Sequence, residues 1–237
     1  MSKKIGIIGA MEIEVESLKK EMTVSRTLTK ANMEFNEGKL GNTDVVVVKS
    51  GICKVNAALC VQILVDDFKV THVINTGAAG SLDAKIDIGD FVVSTDVVYH
   101  DVDATVFGYK KGEIPQTGRL EFLADKWMIE NIKKAAATAG ITGKLWDGRV
   151  CSGDQFISES YVKDGIKAEF DGLCCEMEGA GIAQACFLNN IPFVILRAIS
   201  DKADGSDIMD YPEFEKKAAA DCAALTESFI KDLSSDN

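Results

Sequence analysis

Two short charged runs at the ends of apolar stretches carry the chemistry of this chain: Glu176-Met177-Glu178-Gly179-Ala180-Gly181 and Arg197-Ala198-Ile199-Ser200-Asp201. The first reads as a pair of acids opening a small-residue helix. The second ends an apolar strand running from Ile191 to Ile199, which delivers an arginine and an aspartate at its carboxyl end. In open α/β sheets that edge is where ligands bind. Carboxylates that reach a dry pocket there can transfer protons or grip sugar hydroxyls. Acids at a helix start also serve the macrodipole, so one of Glu176 and Glu178 can cap while the other faces the pocket. Arg197 follows so apolar a strand that it needs a buried partner, because an unpaired buried charge is costly. A structural salt bridge is its alternative reading, and capping of the next turn is that of Asp201.

A third candidate lies near the start. At about 100° per residue, Met11, Val15, Leu18 and Met22 form one apolar stripe of a first helix. Glu12 and Glu16 point away from it towards water, whereas Glu14 borders Met11 and Leu18. That placement makes Glu14 the functional candidate of the three.

The elements needed to position these groups follow from the apolar patterning. Strands are expected at Lys4 to Ile8, Met33 to Leu40, Asp44 to Lys49, His72 to Thr76, Asp90 to Val98, Lys144 to Val150 and Pro192 to Ile199, with Gly41-Asn42 turning the second into the third. Helices are expected at Met11 to Met22, Val55 to Phe68, Glu121 to Ala139, Ser158 to Phe170, Met177 to Asn189 and Tyr211 to Leu233. Such alternation implies an α/β fold with a mainly parallel sheet covered on both faces. Gly9, Gly51, Gly77 with Gly80, and Gly153 fall at strand ends. One alone reads as a turn; four on one sheet edge point to a pocket. None fits the glycine-rich fingerprints of dinucleotide or nucleoside-triphosphate sites.

With 237 residues, 46% of them hydrophobic, and 3 prolines, the chain shows no linker, repeat or low-complexity run, so residues 1–237 read as a single domain. A net charge of -11 argues against nucleic acid or an anionic membrane as partner. The apolar run Ile5 to Gly9 is too short and glycine-rich for a secretory leader, and no segment is long enough to span a bilayer. The 7 cysteines (Cys53, Cys60, Cys151, Cys174, Cys175, Cys186, Cys222) contain no C-x-x-C pair and suit a reducing, cytoplasmic setting. With His72 and His100 the only histidines, neither a metal nor another cofactor is expected.

Taken in order, Gly9-Ala10-Met11-Glu12-Ile13-Glu14-Val15, Ser50-Gly51-Ile52, Asn75-Thr76-Gly77-Ala78-Ala79-Gly80, Tyr99-His100-Asp101 with Phe107-Gly108-Tyr109, Ser152-Gly153-Asp154-Gln155-Phe156-Ile157, Glu176-Met177-Glu178 and Arg197 to Asp201 resemble one enzyme family. It is the 5'-methylthioadenosine/S-adenosylhomocysteine nucleosidase family of the purine nucleoside phosphorylase superfamily, and the resemblance runs from Lys4 to Tyr211. It implies a three-layer α/β/α sandwich around a mixed, largely parallel twisted sheet. It also implies irreversible hydrolysis of the N-glycosidic bond of 5'-methylthioadenosine and S-adenosylhomocysteine, with 5'-deoxyadenosine a further candidate, and a place in methionine salvage. Adenine leaves poorly as an anion, so an acid must protonate N7 while the ribose gains oxocarbenium character and water attacks from the other face.

By this resemblance Asp201 is the acid, Glu14 the base for water aided by Arg197, and Glu178 the carboxylate on the ribose hydroxyls with Met177 against the sugar. Phe156 stacks on adenine and the Ile157 backbone reads its edge. Met11, Ile52, Phe107, Tyr109, Pro115 and Tyr211 line the 5'-thio pocket, and Ala78, Glu176 and Ser200 complete the substrate contacts. A homodimer is implied, in which the segment Ala104 to Pro115 closes the neighbour's pocket. Four positions depart from the family pattern: Ala78 replaces a serine that helps hold the water, Cys53 a glycine, Ala104 a valine, and Tyr211 a phenylalanine.

A phosphorylase of the same fold is the alternative enzyme. Phosphate favours arginines, of which the chain has only Arg26, Arg119, Arg149 and Arg197, and the loop after the first strand carries acids that repel it. A futalosine or aminofutalosine hydrolase is a second alternative. A nucleoside-binding protein without catalysis is a third, though it would be expected to lack one of the acids.

Overall fold

The computed structural model describes residues 3–202 and 211–233, and in it the β-branched runs assemble into one ten-stranded mixed sheet. Its strands are β1 (Lys4–Gly9), β2 (Thr23–Lys30), β3 (Met33–Leu40), β4 (Thr43–Lys49), β5 (His72–Ser81), β6 (Phe91–Tyr99), β7 (Glu121–Leu123), β8 (Leu145–Ser152), β9 (Cys174–Glu176) and β10 (Phe193–Asp201). The helices are α1 (Glu16–Glu21), α2 (Lys54–Phe68), α3 (Lys126–Thr138), α4 (Ser160–Phe170), α5 (Gly179–Asn189) and α6 (Tyr211–Leu233).

The centre is parallel: β4, β1, β5 and β10 lie side by side, with Ile7 opposite both Val47 and Ile74, and Val194 opposite Ile74. These strands are covered on both faces, so Ile5, Ile7, Ile8, Val45 to Val48 and Val194 to Leu196 are fully buried without alternation. Beyond β4 the sheet continues antiparallel through β3 and β2. At the other side β10 pairs antiparallel with β6, β6 parallel with β8, and β8 parallel with β9. Strand β9 returns antiparallel to β5, so five strands close into a ring. Helices α2 and α5 pack together as one layer; α1, α3 and α6 form the other, with α6 lying on β5 and β10. This is the expected α/β/α sandwich.

Five expectations about elements need correction. The first helix is not continuous from Met11 to Met22: a 3-10 turn (Glu12–Glu14) precedes α1, with Val15 at φ -129 between them. The break arises because the Glu14 carboxylate draws in the Ala10 and Met11 amides. The span Glu121 to Ala139 splits into β7, paired with β6, and α3, whose start is capped by Asp125 accepting from the Met128 N–H at 2.9 Å. Strand β2 was not expected, because its mostly exposed residues lack apolar alternation; nor was the three-residue β9. Finally, β5 runs on to Ser81 rather than ending at Thr76.

The arrangement brings the carboxyl ends of β1, β5 and β10 to one sheet edge, where β9 pairs with the end of β5, and the candidate residues sit there.

Candidate active site

Arg197 leaves β10 into the protein interior, 1% exposed. Its Nη2 donates to Asn75 Oδ1 (2.5 Å), to Glu176 Oε2 and to Glu178 Oε2 (3.3 Å), while Nη1 stands 3.9 Å from Glu14 Oε1. Burial pulls its proton affinity down, but the three carboxylates more than offset this and hold it above the ordinary arginine value. A cation so fully committed to carboxylates is poorly placed to receive a phosphate.

The two acids opening α5 divide their labour as the sequence allows. Glu176 caps: it accepts from the Glu178 N–H (3.0 Å) and the Gly179 N–H (2.8 Å). Glu178 faces the cavity, its Oε1 accepting from the Cys53 N–H at 2.9 Å across from α2. Burial, and then the charge of Glu176, push the Glu178 carboxyl up to about 7 against the pull of Arg197.

Glu14 is 2% exposed and is held by three backbone amides, with Oε2 accepting from Ala10 (2.6 Å) and Met11 (3.0 Å) and Oε1 from Ala78 (3.1 Å). Burial raises its proton affinity, and Arg197 and the amides only partly counter that. A buried carboxyl whose affinity is raised while it keeps fixed hydrogen bonds is suited to taking a proton. Position 77 must be glycine for this approach, since a Cβ there would collide with Glu14 Oε1 and Arg197 Nη1.

Asp201 ends β10 just past an irregularity in its pairing with β5. Its Oδ2 accepts from Lys163 Nζ at 2.5 Å and its Oδ1 from the Ser200 hydroxyl at 3.2 Å.

Glu14, Glu178 and Asp201 line a single cavity of about 130 Å³. Met11, Ile52, Ala78, Phe156, Glu176, Met177 and Ser200 line it as well. Of these, Phe156 is 60% exposed. Ala78, where the family pattern has a serine expected to help hold the water, contributes its amide to Glu14. The cavity thus brings three carboxyl groups to a shared void, next to an aromatic side chain.

Other expected residues lie elsewhere. Phe107, Tyr109 and Pro115 sit on the connection after β6 and do not line this cavity; Phe107 is 81% exposed. Ile157 packs with Leu82, Val98 and Phe170 in a small cluster beneath α4. Tyr211 begins α6, and its side chain lies outside the described residues. Three contributors were missed: the Cys53 amide, Glu215 of α6 on the cavity wall, and buried Lys163. Lys163 did leave a signal, since it shares one face of α4 with the buried Ile166 and Phe170.

Comparison with known proteins bears on the family and the fold. The profile of the Phosphorylase superfamily matches residues 4–231. The chain is 42% identical over 230 residues to a 5'-methylthioadenosine/S-adenosylhomocysteine nucleosidase of Staphylococcus haemolyticus, covering 97% of this chain and 100% of that one. The nucleosidase of Neisseria meningitidis, solved with methylthio-immucillin-A, superposes with a TM-score of 0.92 at 38% identity, covering 97% of this chain and 99% of that one. The nucleosidase of Colwellia psychrerythraea, solved with adenine, gives a TM-score of 0.92 at 39% identity, covering 97% and 95%.

Proposed function

The chain belongs to the 5'-methylthioadenosine/S-adenosylhomocysteine nucleosidase family of the phosphorylase superfamily, and on that footing we propose that it hydrolyses the N-glycosidic bond of those two nucleosides, releasing adenine. In this reading Glu14 takes the proton of the attacking water, Glu178 holds the ribose hydroxyls, and Asp201 protonates the departing purine. Phe156 stacks on the base. Arg197 keeps Glu14 and Glu178 in place from behind. A cytoplasmic role in methionine salvage goes with that substrate pair.

One observation carries the reading: three carboxyl groups from distant parts of the chain meet at one cavity, at distinct positions around it. The test is adenine release from 5'-methylthioadenosine in phosphate-free buffer. Turnover is expected without phosphate, and Glu14→Gln should lower kcat by about 10² to 10⁴. Turnover that requires phosphate and yields a ribose 1-phosphate would replace hydrolysis with phosphorolysis.

The same proposal includes a homodimer. Val55 and Leu188 line one surface groove between α2 and α5, together with Ala58, Val102 and Ile114, and are 76% and 64% exposed. Apolar side chains gathered in this way favour a protein partner. The exposed Phe107 then serves a neighbouring subunit's 5' pocket, which accounts for its absence from the cavity of its own chain.

A further inference from the structure

Lys163 is a buried ionisable group that the roles above leave unused. It projects from α4 at 1% exposure, and its Nζ donates to Asp201 Oδ2 (2.5 Å) and to the Lys202 carbonyl (2.6 Å). Among the described residues Asp201 is the only acid paired with it. Cys175 of β9 faces both groups, but burial, and then Asp201, push its thiol up to about 12, so it adds no charge there. An apolar side chain would fill this place on the α4 stripe at less desolvation cost, since a buried ion pair is often no more stable than its hydrophobic replacement. The cation therefore calls for an explanation other than packing.

We propose that Lys163 is the positioning residue of the leaving-group acid, holding the Asp201 carboxyl in orientation and neutralising the charge it acquires when its proton passes to the purine. The inference rests on the nucleosidase reading. In that reaction the C1'–N9 bond breaks with its electron pair going to the base. The proton on Asp201, taken up from water, moves to N7. The attacking water forms the new bond to C1' and gives its proton to Glu14. Asp201 is thereby left as a carboxylate, and the Lys163–Asp201 ion pair is the arrangement present at the end of that step. A fixed cation next to an anion that forms during reaction stabilises the transition state more than the ground state. The clamp also commits Oδ2, leaving Oδ1, next to the Ser200 hydroxyl, for the ligand.

The test compares two leaving groups on wild type, Lys163→Met and Lys163→Arg. One substrate is 5'-methylthioadenosine; the other is an aryl riboside whose 4-nitrophenolate departs without protonation. Lys163→Met is expected to lower kcat for the adenine nucleoside by roughly 10- to 100-fold with little change in KM, because it acts on the proton-transfer step alone. Release of 4-nitrophenolate should stay within about twofold of wild type, and Lys163→Arg should recover much of the lost kcat. An equal loss on both substrates, or no loss with adenine as leaving group, overturns the proposal and leaves the nucleosidase reading standing. Wild-type protein that frees no adenine overturns both.

Discussion

Buried beside Glu176, the Glu178 carboxyl titrates near 7 instead of its ordinary 4.5, so the folded protein holds a proton that the unfolded chain has released. Stability therefore falls as pH rises through the window between those values, and it levels off above it. The drop belonging to this one group is on the order of 3 kcal/mol. Urea unfolding at about pH 5 and about pH 8 should show it, with a distinctly flatter profile in Glu178→Gln. Asp201 poses a different problem. Asp201→Asn should abolish adenine release, but it also strands the Lys163 ammonium in a dry site, at a cost of about 3 kcal/mol. The double variant Asp201→Asn/Lys163→Met should unfold at a higher urea concentration than the single one while remaining inactive. If the single variant is as stable as wild type, the ion pair is not the partner of Lys163 that matters for folding.

At the scale of elements, the start of α2 illustrates how local strain serves the cavity. Cys53 precedes the helix at φ 80, ψ 161, a region nearly confined to glycine, and this orientation aims its N–H at Glu178. Such a conformation costs a non-glycine residue about 1–3 kcal/mol, more than the entropy glycine would lose there. Cys53→Gly should thus raise the melting temperature by about 2–4 °C, read by calorimetry, with the Glu178 contact intact. The cysteine itself carries no mark of positive φ; the one hint in the sequence was that Cys53 stands where the family pattern has a glycine. What was legible were the elements whose fate is decided by their own composition. The unbroken Val and Ile runs of β1, β4 and β10 read as double-covered strands, and the long closing helix was placed from Tyr211 to Leu233. Glu14 stood out by bordering an apolar stripe, and Arg197 by ending an apolar strand. Strand β2 was not legible, because an edge pairing belongs to the partner as much as to the segment itself, and the place of Lys163 on the apolar face of α4 marked its burial but not its counter-ion.

At the scale of the whole molecule, the apolar groove between α2 and α5 predicts the assembly state. Leu188→Asp should shift the protein from dimer to monomer in sedimentation, since it places a charge where Val55 and Leu188 would otherwise be covered. If the neighbour's Phe107 closes the 5' pocket, the monomer should also show a KM for 5'-methylthioadenosine raised by about tenfold or more. A dimer that survives Leu188→Asp places the contact elsewhere.

The closed ring of strands has a consequence for how the protein comes into being. Glu14 follows the first strand, whereas Arg197 and Asp201 belong to the last one described, which must slot between β5 and β6 to complete the ring. A chain emerging from the ribosome therefore carries Glu14 long before Arg197 and Asp201, which meet it at the cavity. Contacts this remote in sequence form slowly. Enzymatic competence arrives late and all at once, and a prematurely terminated polypeptide ending before β10 has no reaction centre in any partial form.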